Sequence, residues 1–287
     1  MQNQELLKRM GEDLALRNRA AGTRGIYLRQ AGLYLEGLGC PPEESGEEDI
    51  RRFILSLKAG GAAPSTVNGY LSAILFLYEV TMGRAVNRRQ APYQTIPPGT
   101  ITLMTREQLA LMIGAEPSLR SRAFLMLGYG SGLRISEVAR LRGADIVSAE
   151  MRVHVVDSKR GKSRYTVLSE DALACLREWW GTERRPSPGG WLFPSPADPA
   201  AHISDATIRR AFADAAARCG LGGEGLVFHT LRHCFATHLL EARYDLFTIK
   251  ELMGHSSIQT TALYLHVADV SSDVRSPLDG LGEVRHV

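Results

Sequence analysis

A proline-rich segment interrupts the helical patterning of this chain. Residues 91–101, APYQTIPPGTI, contain three prolines and one glycine and have no helical periodicity. Proline fixes its own φ angle and lacks a backbone donor, so such a segment favours an extended linker over a helix. We therefore predict two domains, a helical domain of residues 1–94 and a larger second domain of residues 95–287.

The first domain has the pattern of a small helical bundle. Apolar side chains recur at helical spacing in residues 23–38 and again in residues 50–57. A third helix is predicted to start at Ser65 as its N-cap and to end near Gly83. A basic segment follows this bundle, and no strand pattern occurs in it.

The second domain combines helices with one β-hairpin. Apolar and polar residues alternate in residues 151–156, and a second strand pattern covers residues 164–168, after a turn around Gly161. Helices are predicted at residues 106–113, 119–129, 135–141, 170–180, 205–218, 230–242, 246–253 and 257–266. The predicted fold class is therefore mainly α with a small antiparallel β-sheet.

Composition narrows the class of protein. The net charge of +3 permits nucleic-acid binding without requiring it. The four cysteines are far apart and form no C-x-x-C pair, which argues against a disulfide framework. No apolar run reaches the length of a membrane span, and no signal-peptide pattern is present, so we expect a cytoplasmic protein with no membrane partner.

The stretch HTLRH allows three interpretations. His229 and His233 could share a zinc ion, but a hydrolytic zinc helix needs a glutamate where this chain has Thr230. Alternatively, Thr230 could be a helix N-cap, with His229 at the helix start and Arg232 gripping a phosphate one turn later. A plain helix start, with Arg232 in a surface salt bridge, fits the residues equally well.

Two further motifs contain polar residues at helix ends. GSGLRISEVARL places Arg134 at the start of a helix, where Glu137 could hold it by an i to i+3 pair. LMGHSSIQTTALYLH places His255 after Gly254, a predicted left-handed C-cap, and Tyr264 nine residues later. Each motif alone also fits an ordinary helix-end arginine, or a buried tyrosine beside a turn histidine.

In their order and spacing, these motifs resemble the tyrosine recombinases, also called phage integrases, and especially the simple bacterial members of the Xer type. The resemblance spans residues 128–268. It implies that the first domain is a SAM-like, DNA-binding helical bundle and that the second is an α+β catalytic domain. It also implies active-site roles for Arg134, His229, Arg232, His255 and Tyr264. His233 matches a common family residue with no required catalytic role, so we expect it to be structural.

The family's catalytic lysine lies on a β-hairpin. In this chain DSKRGKSRYTVLS offers Lys159 and Lys162, and the strand that follows favours Lys159. The family usually has G-K-G where this chain has Ser158, Lys159 and Arg160. Lys162 therefore remains the alternative.

The resemblance implies a reaction that needs no metal, ATP or other cofactor. Tyr264 would attack a DNA phosphodiester and form a covalent 3′-phosphotyrosine, with His229 taking its proton and Lys159 protonating the leaving oxygen. The expected partners are double-stranded DNA recombination sites, a homo-tetramer on two duplexes, and accessory DNA-bending proteins. The protein would act at the bacterial nucleoid, for instance in a mobile element, and the tail after Asp269 would dock on a neighbouring protomer.

Two alternative functions remain at this point. A type IB topoisomerase uses similar residues, and a DNA-binding protein could retain the fold without chemistry. Basic runs at residues 88–89, 159–164 and 184–185 are candidate phosphate contacts, and Arg209 and Arg210 are candidates for groove contacts.

Overall fold

The computed structural model describes residues 2–97, 101–157, 162–183 and 186–266. The chain divides into two compact units, Met1–Gly99 and Thr100–Val287, and each unit has its own hydrophobic core. The described elements are mainly helices with one small antiparallel sheet, which confirms the predicted fold class.

Helices are the regular secondary structure of the first unit's described residues. Its elements are α1 (Gln2–Leu16), α2 (Ala21–Glu36), α3 (Glu47–Ala59), α4 (Pro64–Phe76) and a π-helical turn (Leu77–Thr81). Tyr34 and Tyr78 are buried in its core, where their hydroxyl oxygens lie 2.7 Å apart. The predicted cap at Ser65 is wrong, because α4 begins at Pro64, whose fixed φ suits the first position of a helix. Helix α1 was not among the predicted helices.

The second unit surrounds a larger apolar core. Its elements are α5 (Arg106–Gly114), α6 (Leu119–Gly130), α7 (Ile135–Ala139), β1 (Ile146–Val147), β2 (Arg152–Asp157), β3 (Lys162–Val167), α8 (Glu170–Thr182), α9 (Asp205–Arg218), α10 (Phe228–Glu241), α11 (Leu246–Met253) and α12 (Ile258–Ala262). A 3-10 turn, Leu263–His266, follows α12. Helix α6 packs against both α8 and α10, so the core fixes α10 in place. The hairpin and the predicted helices are confirmed except for the helix predicted at residues 257–266, which ends at Ala262 and continues as a 3-10 turn. The two-residue strand β1 was not predicted.

The small sheet contains the hairpin, and its strand β3 is hydrogen-bonded to the turn before α7. Its strands are antiparallel in the order β1-β2-β3, and β2 pairs with β3 from Arg152↔Val167 to Asp157↔Lys162. The buried Thr166 donates its hydroxyl to the backbone oxygen of Ser131 at 2.9 Å. This bond joins β3 to the glycine turn that precedes Arg134.

Candidate active site

Five of the six predicted site residues lie in described parts of the second unit. Arg134 precedes α7, His229 and Arg232 lie on α10, His255 follows α11, and Tyr264 lies in the 3-10 turn. Lys159 falls outside the described residues, between β2 and β3. Of Lys162 only the backbone is described, as the first residue of β3.

Arg134 is held at the start of α7 by a carboxylate. Its backbone N–H donates to Glu137 Oε2 at 2.8 Å, and its Nη1 donates to Oε1 of the same side chain at 2.8 Å. The predicted pair between these residues is thus confirmed. The Arg134 side chain remains 38% exposed, which leaves part of the guanidinium open to a ligand.

Arg232 is buried beneath the turn that leads to Arg134. Its side chain is 1% exposed, and its Nη1 donates to the backbone oxygen of Gly132 at 2.6 Å. Its Nη2 donates to the backbone oxygen of Met253, while Nε has no hydrogen-bond partner among the described residues. Gly132 has a φ of +63°, and a Cβ there would lie 2.4 Å from the Phe235 ring, so this turn requires glycine.

Arg164 ties three segments of the site together. Its Nη1 and Nη2 donate to the two oxygens of Glu137 at 2.9 Å each, and its Nε donates to the backbone oxygen of Leu252 at 2.8 Å. A Cβ at Gly254, whose φ is +63°, would lie 2.8 Å from Arg164 Cδ. The prediction of Arg164 as a phosphate contact is therefore wrong, because its donors are used inside the protein.

Glu137 balances the positive charges around it. Burial alone would raise the pKa of Glu137, but the hydrogen bonds and charge of Arg164, followed by Arg134, lower it to about 2. Its Oε2 also lies 3.8 Å from Nη1 of Arg232. One ionised carboxylate therefore serves three guanidinium groups, which leaves the region cationic.

Tyr264 lies against this cationic region. It is 3% exposed, and its hydroxyl lies 2.9 Å from Nδ1 of His233. Its ring is stacked near that of His255, with centroids 6.5 Å apart and planes 11° apart. Burial raises the pKa of Tyr264, whereas the charges of Arg232 and Arg134 act to lower it. The arginines thus favour the phenolate that a nucleophilic attack requires.

The rings of His233 and His255 lie near Tyr264, the ring of His229 packs against His233, and the pKa of all three histidines is below its usual value. Burial, followed by Arg232, lowers the pKa of both His233 and His255, the latter to about 3. Desolvation, followed by its neighbour His233, lowers the pKa of His229, although this ring remains exposed. The three rings are therefore neutral at pH 7 and available as proton acceptors.

The predicted end of α11 is confirmed, whereas the predicted start of α10 is wrong. Gly254 is a left-handed C-cap, as predicted, and the backbone N–H of His255 donates to Lys250 O at 3.1 Å. Helix α10, however, begins at Phe228 after Val227, and Thr230 accepts from the Val227 N–H at 3.2 Å. The prediction of Thr230 as the N-cap is therefore wrong, and His229 lies within the first turn.

Sequence reasoning missed the contact of His233 with Tyr264 and that of Arg164 with Glu137. His233 lies four residues after His229 on α10, and their ring centroids are 4.5 Å apart. That i to i+4 spacing is a visible signal that the two rings share a face. No spacing signal connects either ring to Tyr264, and none connects Arg164 to Glu137, because both contacts join distant parts of the chain.

The described residues contain neither a metal-ligand cluster nor a membrane-spanning helix. They contain no cluster of three or more histidine, cysteine, aspartate or glutamate side chains placed to hold a metal ion. Among them there is also no helix with the length and apolarity that crossing a bilayer requires.

The basic residues predicted to contact DNA differ in exposure and in ion pairing. Arg209 and Arg210 are exposed on α9. Arg88 instead forms an ion pair with Glu79 at 2.8 Å. The pair at residues 184–185 lies outside the described residues.

Comparison with known proteins places both units in one family. The family model described as "Phage integrase family" matches residues 102–270, and "Phage integrase, N-terminal SAM-like domain" matches residues 6–88. The chain is 37% identical over 266 residues to a "Putative integrase/recombinase" of Sinorhizobium fredii, covering 92% of this chain and 84% of that protein. It is 29% identical to the tyrosine recombinase XerD of Rhizobium meliloti, covering 89% of this chain and 88% of that protein.

A solved structure shows the same fold. The crystal structure of a lambda integrase dimer bound to a COC' core site matches with a TM-score of 0.73 at 20% identity, covering 95% of this chain and 98% of that one. The family model for the second unit covers the whole candidate site from Arg134 to Tyr264. The chain therefore belongs to the phage integrase family, the tyrosine recombinases.

Proposed function

We propose that this recombinase cleaves and rejoins DNA at specific sites through Tyr264, within a pocket formed by Arg134, Arg232, His229 and His255. The observation that carries the proposal is the position of the Tyr264 hydroxyl. It is buried, hydrogen-bonded to an imidazole and subject to the charges of Arg232 and Arg134. A tyrosine in water has a pKa near 10, so such neighbours are needed to make it a nucleophile at pH 7.

The arginines supply what a metal ion supplies in other phosphoryl-transfer sites. Attack at phosphorus builds negative charge on the nonbridging oxygens, and guanidinium groups stabilise that charge. The Arg134 side chain is 38% exposed, and Nε of the buried Arg232 has no hydrogen-bond partner within the described parts of the chain. His255 bonds Thr261 Oγ1 through Nδ1 at 2.9 Å, which leaves its Nε2 for a phosphate oxygen.

Two proton transfers complete the reaction. The proton of Tyr264 is transferred to one of the two histidines on α10, His229 or His233. The family resemblance points to His229 as the acceptor. The 5′ oxygen takes a proton from Lys159, with Lys162 as the alternative donor. The resulting 3′-phosphotyrosine conserves the energy of the phosphodiester, so a second strand can replace the first without ATP.

The lysine assignment can be tested by changing the leaving group. Lys159→Ala should slow cleavage strongly and leave DNA binding nearly unchanged, with Lys162→Ala as the matched control. In a substrate with sulfur at the bridging 5′ position, the leaving group departs as a thiolate and needs no proton. This substrate should therefore restore the cleavage rate of Lys159→Ala. If Lys162→Ala alone is slow and is rescued by sulfur, the assignment passes to Lys162.

The overall function is tested with a nicked suicide substrate carrying the protein's own site. A covalent adduct to Tyr264 excludes a protein that only binds DNA. Exchange of strands between two duplexes excludes a topoisomerase, which rejoins only the strand that it cut. Absence of any adduct with an active preparation contradicts the proposal.

Assembly and cellular role form the outer part of the proposal. The SAM-like unit is proposed to bind DNA together with the catalytic unit, and exposed Arg209 and Arg210 support contacts from α9. Exchange between two duplexes needs four nucleophiles, so we propose a homo-tetramer, with accessory DNA-bending proteins where the site requires them. We place the protein in the bacterial cytoplasm at the nucleoid, acting in a mobile element.

The tail is proposed to connect neighbouring protomers. Residues from 267 onward lie outside the described residues, so this proposal rests on sequence alone. Deleting residues 276–287 should spare cleavage of one duplex and impair the pairing of two. Normal recombination by the deletion variant would reject this role.

A further inference from the structure

We infer that His233, rather than His229, is the first acceptor of the Tyr264 proton, and that it is therefore a catalytic residue of the recombinase. This inference rests on the proposed function, since it concerns the activation of Tyr264. It assigns a role to a histidine that the sequence pattern leaves structural.

The contact between the two side chains is direct. Nδ1 of His233 lies 2.9 Å from the Tyr264 hydroxyl, within the range of a good hydrogen bond. The ring centroids are 5.6 Å apart and the planes are inclined by 53°. With the ring proton on Nε2, Nδ1 presents a lone pair to the hydroxyl proton. His233 thus already occupies the position that a general base needs.

His229 occupies a different place. It lies one turn earlier on α10, its ring meets that of His233 edge to face at 4.5 Å, and it is exposed, whereas His233 is half-buried. The hydrogen bond described for the Tyr264 hydroxyl is the one to His233. His229 therefore packs against the acceptor, and the hydrogen bond described for the Tyr264 hydroxyl does not involve it.

The surroundings keep His233 ready to accept a proton. The titratable and charged groups described around it are His229 and Arg232 on its own helix and Tyr264 from the 3-10 turn. Arg232 favours the neutral imidazole before the reaction. It also stabilises the phenolate that forms. The charge of the Arg232 guanidinium thus favours both the neutral form of the base and the ionised form of the nucleophile.

The proton balance of the step is complete. The O–H bond of Tyr264 breaks as its proton moves to Nδ1 of His233, which becomes an imidazolium. The phenolate oxygen bonds phosphorus, the bond from phosphorus to the 5′ oxygen breaks, and that oxygen takes a proton from the lysine. In the rejoining step both protons return to their donors.

Asparagine tests the role of His233 with little change in shape. The amide of His233→Asn can replace Nδ1 as a hydrogen-bond acceptor, but it cannot take a proton. His238→Asn is the matched control, since His238 lies on the same helix and its Nδ1 meets the Tyr129 hydroxyl at 2.9 Å. Both variants, together with His229→Asn, are assayed for single-turnover cleavage of a suicide substrate between pH 6 and pH 9.

The expected result is a loss that depends on pH. His233→Asn should cleave about 100-fold more slowly at pH 7, the scale of general-base catalysis, and the deficit should shrink as rising pH ionises Tyr264. Its DNA affinity should stay within about twofold of the unmodified protein, and His238→Asn should cleave at the normal rate. A more acidic fluorinated tyrosine at position 264 should restore the rate of His233→Asn at pH 7.

Three outcomes would overturn the inference. They are cleavage by His233→Asn within about threefold of normal, a deficit equal at every pH, or a pH-dependent deficit found in His229→Asn alone. His233→Gln provides the same comparison if His233→Asn has a lowered melting temperature. An adduct formed by Tyr264→Phe would instead contradict the proposed function, whatever His233 does.

Discussion

Helix α10 carries two histidines that bond tyrosines in the same way but in different surroundings. His233 meets Tyr264, and His238 meets Tyr129, each through Nδ1 at 2.9 Å from the hydroxyl. Burial lowers the pKa of both histidines and raises the pKa of both tyrosines. The hydrogen bond alone therefore does not distinguish a nucleophile from a structural pair.

The charges beside each pair make the difference. Arg232 and Arg134 both favour the phenolate of Tyr264. Arg106 does the same for Tyr129, but the carboxylate of Glu241 opposes it. Arg106 is also bonded to Glu241, with 3.4 Å between Nη2 and Oε2. Beside Tyr264 three guanidinium groups share the single carboxylate of Glu137, whereas beside Tyr129 Arg106 is paired with Glu241, and this excess of positive charge distinguishes the pair that we propose for catalysis.

The largest expected difference comes from removing each hydroxyl. Tyr264→Phe should lose all detectable cleavage, a decrease of at least about 10⁴-fold, because no other group can form the covalent bond. Tyr129→Phe should cleave within about threefold of normal, since its hydroxyl only supports packing. Both are measured by single-turnover cleavage of a suicide substrate. A severe loss in Tyr129→Phe would show that the two pairs are not functionally distinct.

The next largest difference comes from the cations. Arg134→Lys should reduce cleavage by about 10²- to 10³-fold, because lysine cannot reproduce the guanidinium fork on the phosphate. Arg106→Lys is the matched change beside Tyr129 and should leave the rate within about twofold. The same cleavage assay measures both variants. Equal losses would mean that the charge around Tyr264 has no special role.

A smaller effect is expected on the pH dependence of cleavage. A histidine base works when neutral, and the pKa values of His229 and His233 lie below the usual 6.5. The neutral base therefore persists as pH falls through 6.5, and the acid limb of the rate should lie below that value. Rates at low DNA concentration report the free enzyme and provide this profile. An acid limb with its midpoint at or above pH 6.5 would contradict the assignment of a histidine of this pair as the base. A shift of that midpoint in His238→Asn would contradict it as well.

The smallest effect concerns stability, where the two pairs should behave alike. Removing either hydroxyl deletes one hydrogen bond and should lower the free energy of unfolding by about 1 kcal/mol. For a unit of this size, that change lowers the melting temperature by about 2–4 °C. Calorimetry of Tyr264→Phe and Tyr129→Phe measures it. A much larger loss in Tyr264→Phe would mean that this tyrosine is mainly a core residue.

The same comparison shows what sequence could predict. Helix patterns, the glycine C-cap at Gly254 and the Arg134–Glu137 pair depend on residues within a few positions of each other, so local spacing predicted them. The pairing of Tyr264 with His233 spans 31 positions, and that of Arg164 with Glu137 spans 27. Such contacts depend on how distant elements pack, which local periodicity does not record.

The errors at helix starts have a related cause. Serine at position 65 and threonine at position 230 are both good N-caps by residue type. In α4 the preceding proline takes the first position, and in α10 Thr230 bonds the Val227 N–H from the third position. Residue preference alone does not decide which of several neighbouring positions begins a helix.

The most direct test of the account is to identify the residue that becomes attached to DNA. A suicide substrate is incubated with the unmodified protein, the trapped complex is digested, and the peptide that carries the nucleotide is sequenced by mass spectrometry. The account predicts a 3′-phosphate ester on Tyr264. An ester on Tyr129 or any other residue would contradict it.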